Sequence, residues 1–104
     1  MNIIIVGQGK FGTTITKQLV AEGHDVAVID LKREKVVSVV DAYDVMGICG
    51  NGASCEVLEE AGAAKAKLII AATNSDELNI LVCLTANKMG TEHTIARVRN
   101  PDYA

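Results

Sequence analysis

The chain has 104 residues, of which 49% are hydrophobic but only 3% aromatic, and its formal net charge is -3. This length suits one domain, and the acidic balance, without a stripe of lysine and arginine, disfavours nucleic-acid binding. No apolar run approaches the roughly 20 residues that span a bilayer, so we expect contact with a membrane only through a partner.

Five short apolar runs alternate with segments of helical periodicity. The predicted strands are residues 2–6, 25–29, 44–49, 67–72 and 93–98. In the first intervening segment, Phe11 and Ile15 recur at helical spacing on a face expected to pack against the sheet. Gly23, Gly62 and Gly90 follow three of the predicted helices as C-terminal caps. The alternation predicts a Rossmann-like, doubly wound α/β fold whose parallel sheet has strand order 3-2-1-4-5.

A glycine-rich turn follows the first predicted strand. Residues 7–12 read Gly-Gln-Gly-Lys-Phe-Gly, which matches the G-x-G-x-x-G pattern of dinucleotide-binding folds in its required place between a strand and a helix. Gly7 permits a tight turn, Gly9 lets main-chain N–H groups reach a diphosphate, and Gly12 lets the helix pack closely on the strand. Because a helix start favours anions, the turn predicts a nucleotide ligand; a purely structural turn is the alternative.

Asp30 follows the second predicted strand, at the distance from the glycines where a carboxylate accepts hydrogen bonds from the ribose hydroxyls of an adenosine. A 2′-phosphate would be repelled there. Lys32 and Arg33 come next. We interpret them as solvated charges in the first turn of a helix, although a clamp for a 2′-phosphate would use the same residues.

Two further turns end at the same edge of the predicted sheet, where open α/β sheets bind ligands. The glycines at residues 50–52 leave room for an adenine or ribose, and a plain turn explains them as well. At residues 72–74, Thr73 and Asn74 either face the phosphates or cap the next helix. Both turns are therefore candidate walls of the nucleotide pocket.

The fourth predicted helix begins after Asn74 or Ser75, either of which is a suitable cap. Residues 78–84 are apolar around more of the circumference than one sheet face can cover. This surplus predicts contact with a neighbouring subunit.

The three cysteines, Cys49, Cys55 and Cys83, have neither metal-ligand spacing nor an evident base partner. We expect them to be small, buried, apolar residues. No metal site and no catalytic residue is predicted.

With these features in place, the chain resembles the RCK, or KTN, family, and within it the N-terminal nucleotide-binding domains of the TrkA branch, which regulates Trk potassium uptake systems. The resemblance is carried by "VID" ending at Asp30, "GNGAS" from Gly50, "AATNSDELN" from Ala71 and "IARVRNPDY" from Ile95. Relatives outside that branch often have Gly-Asp-Ala after the third strand, where this chain has Gly-Asn-Gly.

The resemblance implies a regulatory domain, not an enzyme, that binds NAD(H), with ADP or ATP as alternative ligands. It assigns the diphosphate to residues 7–11, the ribose to Asp30 and the edge of the phosphate pocket to Thr73 and Asn74. It also adds Arg97, for which an ion pair is an open alternative. The complete candidate site comprises Gly7, Gln8, Gly9, Lys10, Phe11, Gly12, Asp30, Leu31, Lys32, Gly50, Asn51, Gly52, Ala72, Thr73, Asn74 and Arg97.

The resemblance further implies a cytoplasmic protein that works as a homo-oligomer, dimer or tetramer, and reaches the inner face of the membrane through a potassium transporter subunit. Because the family domain continues through another helix and a sixth strand, we expect residues 1–104 to be a single, C-terminally truncated domain of a longer protein. Two alternatives stay open: the cofactor-binding half of an NAD-dependent dehydrogenase, and the regulatory domain of a potassium efflux antiporter or channel.

Overall fold

Five parallel strands form one sheet in the computed structural model, which describes residues 1–103. The strands are β1 (Asn2–Val6), β2 (Asp25–Asp30), β3 (Met46–Cys49), β4 (Leu68–Ala71) and β5 (His93–Ala96). The helices are α1 (Lys10–Ala21), α2 (Arg33–Ala42), α3 (Cys55–Glu60) and α4 (Asp76–Met89), with short 3-10 turns at Ala63–Lys65 and Pro101–Tyr103. The spatial order β3-β2-β1-β4-β5 confirms the predicted topology.

The central strand β1 is buried on both faces of the sheet. Ile3 and Ile5 belong to a core that includes residues of α1 and α2, whereas Ile4 and Val6 belong to a second core that includes residues of α3 and α4. All four side chains are at most 2% exposed. A strand covered on both faces has no polar side to present, which is why the sequence of β1 is continuously apolar.

The strand boundaries lie within two residues of the predicted ones. β3 begins at Met46, two residues later than predicted, and β5 ends at Ala96, two residues earlier. β5 is shorter than predicted because its pairing with β4 ends there. The last pair of residues is Ala71 with Ala96. Ser75 is the cap of α4, where its hydroxyl oxygen accepts a hydrogen bond from the Leu78 main-chain N–H at 3.1 Å.

Two sequence expectations about burial were wrong. Cys49 and Cys55 are exposed and Cys83 is half-buried, because Cys49 lies on an edge strand and Cys55 is the first residue of α3. Phe11 is 43% exposed and does not pack in the core, since it lies in the first turn of α1, at the rim of a cleft. Helical spacing alone does not distinguish this rim position from a core position.

Candidate functional site

A cleft of ≈ 560 Å³ opens at the carboxyl edge of the sheet. Its lining residues are Val6, Gly7, Gly9, Lys10, Phe11, Thr14, Ile29, Asp30, Leu31, Lys32, Lys35, Gly50, Gly52, Ala72, Thr73, Asn74, Leu78 and Arg97. The strand order reverses between β1 and β4, and open α/β sheets bind ligands outside the carboxyl ends of their strands at this point. The structure thus brings most of the candidate residues to one cleft, and three of them, Gln8, Gly12 and Asn51, do not line it.

Gly7 and Gly12 are required by the packing of the turn between β1 and α1. Gly7 has a φ of 98°, and a Cβ added to it would lie 2.9 Å from main-chain atoms of Ala72 and Thr73. A Cβ on Gly12 would lie 1.9 Å from the Gly7 carbonyl oxygen. Real Cβ atoms do not approach main-chain atoms so closely, so the fold itself explains both glycines.

Gly9 differs from its two neighbours in the motif. Its φ of -73° is accessible to any residue, and a Cβ added there would meet no atom within 4 Å. Gly9 also lines the cleft. The missing side chain therefore leaves free space on the cleft side of the turn, at the start of α1, where main-chain N–H groups and the helix dipole favour an anion.

Asp30 is fixed by the main chain at the end of β2. Its Oδ2 accepts a hydrogen bond from the Gln8 N–H at 2.7 Å, and its Oδ1 accepts one from the Lys32 N–H at 2.9 Å. A carboxylate offers about four acceptor positions. Since Asp30 also lines the cleft, its remaining positions are suited to hydroxyl donors of a ligand.

Gln8 and Asn51 are absent from the cleft because their side chains bond to the protein itself. Gln8 is 4% exposed, and its Nε2 donates to the Gly7 carbonyl at 3.0 Å and to the Thr16 hydroxyl at 3.1 Å. Asn51 Oδ1 accepts from the Ala53 N–H at 2.9 Å. The contribution of Gln8 at this end of the sheet is thus its main-chain N–H, which orients Asp30.

The glycines after β3 were left open between ligand space and a plain turn. A Cβ on Gly52 would lie 2.4 Å from Cγ1 of Val6, and one on Gly50 would lie 2.8 Å from Cγ2 of Val57. Packing of this loop against β1 and α3 therefore requires both glycines, which nevertheless line the cleft.

Arg97 and Phe11 meet across the cleft. The Arg97 guanidinium carbon lies 4.5 Å from the centroid of the Phe11 ring, a cation–π distance. Within residues 1–103, the salt bridges do not include Arg97. The sequence left two roles open for Arg97, an ion pair or a position facing the ligand site. In the structure Arg97 faces the cleft.

Positive charge dominates the described part of the lining. Lys10, Lys32, Lys35 and Arg97 line the cleft, against the single carboxylate of Asp30, although the whole chain carries a net charge of -3. Arg33 does not line it, so the pair considered as a 2′-phosphate clamp contributes only Lys32. This local excess of cations favours a ligand with more than one negative charge.

Asn79 was missed in the sequence and connects two walls of the cleft. Its Oδ1 accepts from the N–H and the hydroxyl of Thr73, at 2.9 and 2.6 Å, and its Nδ2 donates to the carbonyls of Thr73 and Arg97, at 3.1 and 2.8 Å. All four hydrogen-bonding positions of the amide are used, and the residue is 0% exposed. The sequence did contain one signal of this role, which is a polar residue inside the apolar run of α4.

A profile of the TrkA-N domain matches residues 3–104. The chain belongs to the TrkA-N domain family. A relative of this TrkA-N domain is a Trk system potassium uptake protein TrkA homolog of Methanothermobacter thermautotrophicus, 37% identical over 103 residues, with 99% of this chain and 48% of the relative covered. The chain spans less than half the length of the first curated relatives that it matches.

Two solved structures have the same fold as this TrkA-N domain. The GsuK channel bound to NAD has a TM-score of 0.84 at 24% identity, covering 98% of this chain and 18% of that chain. The Shewanella denitrificans Kef CTD in AMP-bound form has a TM-score of 0.79 at 24% identity, covering 91% and 57%. Within residues 1–103 of the domain, none of the helices has the length and apolar character needed to cross a membrane.

The different roles of Gly9 and Gly12 predict losses of stability of different size on substitution by alanine. Gly→Ala inside a helix ordinarily adds about 1 kcal/mol of stability. At Gly12 in this TrkA-N domain we expect a loss of at least about 3 kcal/mol, because the methyl group would overlap the Gly7 carbonyl. Gly9→Ala should cost no more than about 1 kcal/mol, as expected at a helix cap. Urea unfolding of both variants measures the difference, and equal losses would contradict it.

Proposed function

We propose that this TrkA-N domain binds NAD(H) in the cleft, with the diphosphate at Gly9 and Lys10 and the ribose at Asp30. The observation that carries the proposal is Gly9. The fold explains Gly7 and Gly12, but nothing in the packing requires a glycine at position 9. A diphosphate lying against the start of α1 does require one, because a side chain would occupy its path.

The charge of the cleft and the solved relatives support an adenine nucleotide as the ligand. Four cationic side chains match a diphosphate, and Asp30 matches a ribose with two free hydroxyls. Structures of the same fold contain NAD in the GsuK channel and AMP in a Kef domain. ADP and ATP present the same ribose to Asp30, so they are alternative ligands of the proposed site.

We further propose a regulatory role, without catalysis, in a potassium uptake system. Relatives at 36–38% identity are named Trk system potassium uptake proteins, whereas the Kef and channel structures, at 24% identity, share only the fold. On this proposal, residues 1–104 are one domain of a longer cytoplasmic protein that acts on a membrane transporter subunit. The cofactor half of a dehydrogenase would have the same glycine turn and ribose carboxylate, and the named relatives are what favours the regulatory role over it.

Valine at position 9 tests the central observation. Its side chain would fill the open space in front of the turn, so we expect Gly9→Val to weaken NADH binding at least about a hundredfold, or 2.7 kcal/mol. Calorimetric titration measures the affinity, and a circular dichroism spectrum checks that the variant is folded. Undiminished NADH binding by folded Gly9→Val would overturn the proposed site.

Asp30 should select NADH over NADPH. Its carboxylate is held by two main-chain N–H groups, so it cannot easily withdraw from a 2′-phosphate, and we expect weaker binding of NADPH. Asp30→Ala should weaken NADH binding by about 1–3 kcal/mol and reduce the preference, because Lys32 and Lys35 remain. Asp25→Ala, at the opposite end of β2, removes the same charge and is the matched control. Equal affinities for NADH and NADPH in the unaltered domain would contradict the assignment.

The outer face of α4 is the proposed contact between subunits. Leu81 and Leu84 lie one turn apart on this helix and are 52% and 57% exposed. Neighbouring exposed leucine side chains on one helix face are the feature on which we base an interaction surface here.

We therefore expect the domain to self-associate at tens of micromolar and Leu84→Glu to shift it towards the monomer. Burial of a glutamate charge in an apolar interface is unfavourable. Val37→Glu, at an exposed apolar position of α2 (49% exposed), controls for the added charge. Sedimentation velocity distinguishes the species. If the unaltered domain is monomeric at every concentration, the proposal that it forms a homo-oligomer is refuted.

A further inference from the structure

The chain crosses the rim of the cleft after it leaves β5. The Arg97 N–H donates to the Ala71 carbonyl at 2.8 Å, and residues 99–103 then lie beside the first turn of α4. We refer to residues 99–103 as the strap. Arg97 lines the cleft and is two residues from the strap.

Asp76, in the first turn of α4, holds the beginning of the strap. Its Oδ1 accepts from the Arg99 N–H at 3.1 Å, and its Oδ2 accepts from the Asn100 N–H at 2.8 Å. The Arg99 Nε lies 4.0 Å from Oδ1, and the Asp76 side chain is 11% exposed. The two main-chain hydrogen bonds and then the Arg99 charge hold the pKa of Asp76 below its ordinary value, so the carboxylate is ionised at neutral pH.

The strap also contacts the cleft wall directly. The Arg99 guanidinium donates to the carbonyl of Asn74, and Asn74 lines the cleft. At the far end, the Tyr103 hydroxyl donates to Glu77 Oε2 at 2.6 Å. This last bond lowers the pKa of Glu77 and raises that of Tyr103, but it joins two exposed side chains and does not reach the cleft.

We propose that attachment of the strap to Asp76 is thermodynamically coupled to a phosphate-bearing nucleotide in the cleft. The proposal rests on the nucleotide-binding function proposed above. With the strap attached, Arg97 and Asn74 are held at the rim of the cleft by Arg99 and by the main chain on either side of it. With the strap released, Arg97 is still held by the Asn79 bond to its carbonyl, the Ala71 bond to its N–H and the Phe11 ring, but Asn74 loses its bond to Arg99.

Coupling of this kind acts in both directions. If phosphate binds better when Arg97 and Asn74 are held, then bound nucleotide must stabilise strap attachment by the same factor. The order of residues 99–103, on the outside of the domain, thereby depends on occupancy of the cleft. Asp76 is a positioning residue in this scheme, since it acts on the ligand only through the segment that it holds.

Asp76→Asn tests the coupling in the chain of 104 residues. In asparagine an NH2 group replaces one of the two carboxylate oxygens, and it cannot accept the main-chain hydrogen bond that this oxygen accepts in Asp76. The variant also loses the charge that attracts Arg99. Glu77→Gln is the matched control, because it makes the same change in charge at the next position and changes the contacts with Tyr103 and Ser75, but not the hydrogen bonds of the Arg99 and Asn100 N–H groups. We expect Asp76→Asn to weaken NADH binding about tenfold and Glu77→Gln to leave it within about twofold.

Two further measurements separate positioning from general damage to the domain. Adenosine has no phosphate, so its affinity, followed by NMR titration, should be the same in Asp76→Asn and the unaltered chain. Hydrogen exchange of the Arg99 and Asn100 amides should slow when NADH is added to the unaltered chain, and this slowing should be lost in Asp76→Asn.

The possible outcomes distinguish the coupling from the function on which it rests. If the unaltered chain binds none of the nucleotides, both proposals are wrong. If it binds NADH but Asp76→Asn matches Glu77→Gln, or loses adenosine affinity to the same extent as NADH affinity, only the coupling is overturned. Exchange at Arg99 and Asn100 that does not respond to NADH in the unaltered chain also overturns it.

Discussion

The cleft depends on one constraint, which is that the turn after β1 lies very close to the segment after β4 and to α1. Gly7 lies against the main chain after β4, and Gly12 lies against the carbonyl of Gly7, so the turn is wedged between α1 and β4 with no room to move. The N–H groups of Gly7 and Gln8 donate to the Ile29 carbonyl and to Asp30, so Gly9 and Lys10, which line the cleft, are held in place before any ligand is present. A site fixed in this way loses little conformational freedom on binding, which favours affinity.

The polar groups of the cleft fall into two classes with different physical properties. Asp30 and Thr73 are held by short hydrogen bonds to the main chain or to buried Asn79, and such fixed groups select ligands by geometry. Lys10 and Lys32 are exposed, flexible side chains, whose attraction for anions is long-ranged but screened by salt. The fixed groups should set which nucleotide fits, and the lysines should mainly set how fast it arrives.

Strand order, the glycine turn and the place of Asp30 could be predicted from the sequence, because each depends on local patterns with a definite geometric meaning. Burial on both faces makes β1 continuously apolar, and only a glycine tolerates the contacts of Gly12. Other features depended on tertiary packing. Nothing local indicates that Phe11 faces Arg97 across the cleft, because those residues meet only when β1 and β5 are both in the sheet.

The same limit applies to Asn79, Gln8 and the cysteines. Asn79 looked like one polar residue in an apolar helix, and its role becomes visible only when the segments after β4 and β5 are adjacent. Gln8 was included because it lies inside the motif, yet its side chain turns inward to Thr16. The cysteines were expected to be buried from their residue type, although Cys49 lies on an edge strand that has a neighbour on one side only.

The strand order also has a consequence for how the domain folds. β1 and β2 pair across the short α1 connection, but β1 and β4 pair through Ile3 with Leu68, so this second pairing must close a much longer loop. The two sides of the cleft come from the turns after β1 and after β4. Partly folded chains that contain only the β1-α1-β2 unit therefore have half of the cleft, and a ligand that needs both halves will retard unfolding instead of accelerating folding.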